Sequence, residues 1–138
     1  MDDAPLQLFP DDVDAEQALG VAVARAAAAG RRVLVVFGAN WCPDCWALDE
    51  ILAHPLVAPL VHVGFEPVRL GVGHRDRHLA TAERLGIDYQ AGIPAAVVLD
   101  GEGHVVHATR RGELRSARTL SALEFAAMLR EWLPPDAD

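Results

Sequence analysis

Both cysteines of this chain stand in one five-residue block, Trp41-Cys42-Pro43-Asp44-Cys45, a few residues after the apolar run Val33-Leu34-Val35-Val36-Phe37. A run that is apolar at every position reads as a strand covered on both faces. A proline one residue past the first cysteine suits the first position of a helix, where its missing N–H costs nothing. The segment is therefore a strand that turns abruptly into a helix with two thiols in its first turn. That confines the chain to folds in which a central strand delivers a reactive pair to the edge of a sheet.

The rest of the chain supplies the parts of such a fold. Leu6 to Phe9 reads as a short strand. Asp12 or Asp14 caps a helix to about Ala29, with Leu19, Ala22, Val23 and Ala26 on one face and Gly30 as its stop. The helix after Cys42 runs to about Ala53 and breaks at His54-Pro55. Leu56 to Gly64 reads as a short irregular helix. Val68, Leu70 and Val72 alternate as in a strand, and Arg77 to Leu85 is a helix stopped by Gly86. Ala95 to Leu99 is a second fully apolar strand, Asp100-Gly101-Glu102-Gly103 a hairpin turn, and Val105 to Ala108 the returning strand. Ser121 and Glu124 form a capping box for a last helix with Phe125, Met128, Leu129, Trp132 and Leu133 as its buried stripe. The order β-α-β-α-β-α-β-β-α predicts an α/β fold, a central mixed β-sheet flanked by helices on both faces. Residues 1–138 form one domain, with residues 1–11 and 134–138 as flexible ends.

Charge narrows the function. The net charge is −8, which argues against nucleic acid and anionic membrane as partners. All twelve basic residues are arginine, so no lysine is available for Schiff-base chemistry. The acidic N-terminus lacks the basic and apolar regions of a secretory signal, and no apolar run reaches membrane-spanning length, so a cytoplasmic address is expected. In a reducing compartment a lone C-x-x-C pair points to redox catalysis rather than a structural staple.

A helix N-terminus carries about half a positive charge and free N–H donors. Cys42 at the N-cap is thus stabilised as a thiolate, while Cys45, within the first turn, is more shielded. Cys42 is the candidate nucleophile and Cys45 the resolving thiol. Asp44, between them, opposes the Cys42 thiolate, so the pair is expected to be reducing rather than strongly oxidising. Half of a zinc or iron–sulfur site is the alternative. It needs two more ligands, and apart from His74 and His78, spaced i, i+4, nothing offers them. No metal is expected.

Taken together these residues resemble the thioredoxin family. The resemblance covers residues 15 to 133: the strand 33–37 leading into Trp41-Cys42-Pro43-Asp44-Cys45, Val68-Arg69-Leu70 as a third strand, Gly92-Ile93-Pro94 as the family's cis-proline loop, and Asp100-Gly101-Glu102-Gly103 with Val105 as the closing hairpin. It implies a thioredoxin fold and a cis Ile93-Pro94 peptide beside the sulfurs. It implies also that a disulfide substrate pairs with the Ile93 backbone inside an apolar rim of Trp41, Ile93 and the loop at Gly112. Trp41, Pro43, Asp44 and Pro94 would support the site.

Several positions depart from the family. Val36 stands where thioredoxins bury an aspartate that helps deprotonate the resolving thiol, so Asp44 or water would serve instead. Arg69 replaces the usual lysine, and Glu50 replaces a helix-kinking proline. Asp88-Tyr89-Gln90-Ala91 lengthens the approach to Pro94, and the loop 71–78 is rich in glycine and histidine. The expectation is a cytosolic protein-disulfide reductase acting on disulfide-containing proteins or small molecules. It carries no cofactor and is re-reduced by a separate reductase, since no dinucleotide-binding fingerprint is present. The alternatives are an oxidase or thiol-transferase relative, or a thioredoxin-fold binding module with regulatory cysteines.

Overall fold

The computed structural model describes residues 7–135. Helix α1 spans Ala15–Ala29, strand β1 Arg32–Gly38, helix α2 Pro43–Leu52 and helix α3 Ala58–Gly64. Strand β2 spans Phe65–Gly71, helix α4 Leu79–Arg84, strand β3 Ala95–Leu99, strand β4 Val105–Ala108 and helix α5 Ala122–Trp132. Short 3₁₀ turns form at Tyr89–Ala91 and Ala117–Thr119.

The sheet order is β2-β1-β3-β4. β1 runs parallel to β2, with Val36 opposite Arg69, and antiparallel to β3, with Phe37 opposite Ala95. β3 pairs antiparallel with β4. β1 is buried from Val33 to Gly38 and β3 along its whole length. Strands buried at every position need cover on both faces, and two groups of helices supply it. On α1, Glu16 accepts hydrogen bonds from Thr81 Oγ1 at 2.8 Å and Arg84 Nη2 at 2.8 Å, which ties α1 to α4. α3 packs against β2 and α5, and α2 against the turn at Ala117–Thr119.

Local signals set the element ends. Asp14 caps α1 by accepting from the Gln17 N–H, and Gly30 closes it at φ 69°. Ser121 and Glu124 form the reciprocal capping box of α5. Arg32 Nη1 donates to the carbonyls of Trp132 and Leu133, placing a cation at the electron-rich end of α5.

Two expectations are corrected. No strand forms over residues 7–9; Leu6 lies outside the described residues. Within the expected loose N-terminal end, Phe9 is instead buried, its N–H donating to Asn40 Oδ1 at 2.8 Å and its carbonyl accepting from Asn40 Nδ2 at 3.1 Å. The Gly71 N–H donates to the Pro10 carbonyl at 2.7 Å. A side chain at Gly38 would meet the Phe9 ring, and one at Gly71 the Phe9 carbonyl, so both glycines make room for this segment. Second, the helix expected over 77–85 shortens to α4, because His78 takes a left-handed φ of 59° at its start. The remaining expected segments, 1–6 and 136–138, lie outside the described residues.

Candidate active site

The loops 39–42, 72–78, 86–94 and 109–121 all leave the same edge of the sheet, because β1 and β2 end there, β3 begins there and β4 returns there. The thiols sit at that edge. Cys42 is the N-cap of α2 and Pro43 follows at the first helical position. The Cys42 sulfur accepts the Cys45 backbone N–H at 3.2 Å, an orphan donor of the helix N-terminus. Both cysteines are free thiols. Cys42 retains 5% exposure and Cys45 none. Burial pushes the Cys45 thiol up from its ordinary 9.0. The hydrogen bond with Cys42 adds to that, and the Ala39 backbone opposes it. One cysteine thus keeps a small exposed part at the helix N-terminus, and its partner, wholly buried, is held neutral one turn on.

Ile93-Pro94 is a cis peptide, and the Ile93 carbonyl oxygen lies 4.0 Å from the Cys42 sulfur. Ile93 is buried, at 4% exposure. Gly112 is likewise buried at φ 72°, where a side chain would collide with the Ala91 carbonyl at 2.8 Å. Of the three residues expected to form an apolar rim, Trp41 is the exposed one, at 49%. Its indole Nε1 donates to the Gly73 carbonyl at 2.7 Å, and the Arg75 guanidinium lies 5.6 Å above its ring.

Asp44 does not face the thiols unpaired. Its carboxylate accepts from the Arg118 backbone N–H at 2.9 Å and from Arg118 Nε at 3.1 Å. Val36 is buried and apolar, and its register partner Arg69 has turned to Asp49 on α2, Nε to Oδ1 at 2.7 Å. The segment Asp88 to Ala91 is a brace. Tyr89 is buried and donates to the Arg77 carbonyl at 2.7 Å, while Arg75 Nη1 donates to the Tyr89 carbonyl and Gln90 Nε2 to the Arg75 carbonyl. It locks the loop 72–78 against the loop carrying Pro94.

Asn40, Arg115 and Arg118 stand around this edge and were not singled out by the sequence reading. For the two arginines the signal was the run of arginine in residues 110–118, which became meaningful only with the topology. Among the described residues, the His, Cys, Asp and Glu side chains close enough to share a cation are Asp100, Glu102 and His104 on the β3–β4 hairpin. The turn already uses Asp100, whose Oδ1 accepts the Glu102 and His104 backbone N–H groups at 2.9 Å each. No described helix is long and apolar enough to cross a membrane.

The model of a thioredoxin-like family matches residues 14–101. A crystal structure described as a disulphide isomerase from Xylella fastidiosa Temecula1 is 35% identical over 94% of this chain and 98% of that one, with a TM-score of 0.87. A thioredoxin from Thermus thermophilus is 25% identical over 82% of each chain, TM-score 0.59. The germline-specific thioredoxin Deadhead from Drosophila melanogaster, at 15% identity over 79% of this chain and 89% of that one, shares the fold, TM-score 0.55. No curated protein matches the chain.

Proposed function

The chain belongs to the thioredoxin-like family of thiol-disulfide oxidoreductases, and within it we propose that it is a protein-disulfide reductase. The observation that carries this reading is the asymmetry of the thiols: Cys42 at the helix cap with its sulfur on a backbone N–H, Cys45 fully buried one turn on. The Cys42 thiolate attacks one sulfur of a substrate disulfide. A Cys42–substrate disulfide forms and the other substrate sulfur leaves as a thiolate. Cys45, once deprotonated, attacks the Cys42 sulfur, which closes the Cys42–Cys45 disulfide and releases the second substrate thiolate. Two electrons pass from protein to substrate, and a separate dithiol reductant returns them. Trp41 offers an apolar landing surface beside the sulfur, and the Ile93 carbonyl an acceptor for an extended substrate backbone. We place this work in a reducing compartment such as the cytoplasm, since both cysteines of the chain belong to the reactive motif and none is spent on a structural disulfide.

The test is reduction of insulin by the dithiol form. Wild type transfers two electrons per chain, Cys42→Ser transfers none, and Cys45→Ser accumulates a covalent adduct through Cys42. A reduction potential well above about −200 mV would count against a reductase. The 35%-identical structure described as an isomerase supports a second reading. Disulfide shuffling needs only the first thiol, so an isomerase would refold scrambled ribonuclease with Cys45→Ser nearly as fast as with wild type.

A further inference from the structure

Charge is distributed very unevenly over this molecule. The four segments around the thiols, 39–46, 72–78, 86–94 and 109–121, hold six of the twelve arginines and only four of the twenty acidic residues. A strongly acidic chain thus presents a cationic rim at its reactive edge. The four acids in these segments are Asp44, Asp76, Asp88 and Glu113. Asp44 is taken by Arg118. The others accept backbone N–H groups: Asp76 from His74, Asp88 from Gln90 and Glu113 from Arg111. Among the described residues no carboxylate lies within ion-pair distance of Arg75, Arg110, Arg111 or Arg115, whereas Arg25, Arg69, Arg84 and Arg118 each have one.

Two of these arginines pack on residues of the loops around the thiols. Arg75 lies over the Trp41 ring. Arg115 runs across Gly92, the residue before the cis peptide, and Gly112. A side chain on Gly92 would meet Arg115 Cβ at 2.7 Å, and one on Gly112 would meet Arg115 Nη1 at 3.4 Å. The two glycines thus leave room for the Arg115 side chain next to Gly92, one residue before Ile93-Pro94. Guanidinium groups present forked donors that match carboxylates.

We infer that the disulfides reduced at Cys42 carry carboxylates beside the bridge, and that Arg115, with Arg75, selects them. The inference rests on the reductase reading and names its substrate class. The attraction acts before any bond changes, so it speeds capture and is screened by salt.

Two disulfide-bridged peptides test it, identical except that one carries Glu and the other Gln on both sides of the bridge. At low ionic strength the wild type should reduce the Glu peptide with a kcat/KM about five-fold higher, the ratio that about 1 kcal/mol of exposed ion pairing gives. The ratio should fall toward one in about 0.5 M salt and in Arg115→Gln, and invert in Arg115→Glu. Arg130→Gln, the same charge change on α5, should keep it. Equal rates for the two peptides at low salt would overturn the inference and leave the reductase reading intact. Reduction of neither peptide would remove that reading and the inference together. Oxidised glutathione, a small disulfide with carboxylates of its own, identifies the carrier: turnover matching the Glu peptide points to small molecules, slower turnover to acidic protein segments.

Discussion

The Asp44 carboxylate is held by Arg118, 74 positions away, through its backbone N–H at 2.9 Å and its Nε at 3.1 Å. The pair joins the first turn of α2 to the turn at Ala117–Thr119 and sets a cation against the negative charge between the thiols. Removing the arginine should therefore slow Cys42, and removing the carboxylate should not. Alkylation of reduced protein by iodoacetamide at pH 7 is expected to slow about two- to five-fold in Arg118→Ala, the effect of one partly exposed charge pair. Asp44→Asn should alkylate at least as fast as wild type, and the double variant should resemble Asp44→Asn. A double variant as slow as Arg118→Ala would show that the arginine acts through something other than this carboxylate.

This pairing marks the boundary of what could be read in the sequence. Features whose cause lies within four residues were legible: the Asp14 cap, the Cys42 cap with Pro43 behind it, the Asp100 turn and the Ser121–Glu124 box. Features whose partners are distant in the chain were not. Arg69 was recognised as a replacement for lysine, but its partner Asp49 on α2 was not foreseen. Phe9 was read as part of a short strand, yet its backbone is satisfied by one side chain, Asn40, rather than by a ladder. Ile93 and Gly112 were placed at the site by resemblance. Their burial depends on how the loops at 86–94 and 109–121 pack.

Asn40 does for the N-terminal segment what a neighbouring strand would do, donating and accepting at Phe9. Phe9→Ala should cost about 3–5 kcal/mol as a large buried aromatic. Asn40→Ala should cost about 1–3 kcal/mol for the two lost partners. Both are read as shifts in urea midpoint. Asn40→Ala keeps the backbone carbonyl that accepts Trp46 Nε1 at 2.8 Å, so insulin reduction by the folded variant should stay close to wild type. An unchanged midpoint for both variants would mean that the segment is not anchored as described.

Val36 is 2% exposed on β1, and the cation opposite it, Arg69, is already committed to Asp49. Installing the family's aspartate there would bury a carboxylate whose natural partner is occupied. Val36→Asp is expected to destabilise the fold by about 2–4 kcal/mol at pH 7. The loss should shrink at pH 5, where a buried carboxyl is more readily neutral. A midpoint equal to wild type would mean that Arg69 exchanges partners freely.

Cys45 predicts a specific alkaline weakness. Burial holds its thiol above the ordinary 9.0, so the folded chain keeps a proton that the unfolded chain gives up. Raised in the folded state, this group contributes stability that is complete below pH 9 and is lost as pH rises beyond it. Tyr89, also raised by burial, acts in the same direction from its ordinary 10.0, so the contrast must be made against a variant that retains it. Urea unfolding of reduced wild type and of Cys45→Ala at pH 7, 9 and 10 isolates the thiol. The stability of wild type should fall more steeply than that of Cys45→Ala above pH 9, by up to about 1.4 kcal/mol per pH unit, the limit for one proton. Parallel curves would mean that Cys45 ionises as readily in the fold as out of it, and the division of labour between the two sulfurs would lose its physical basis.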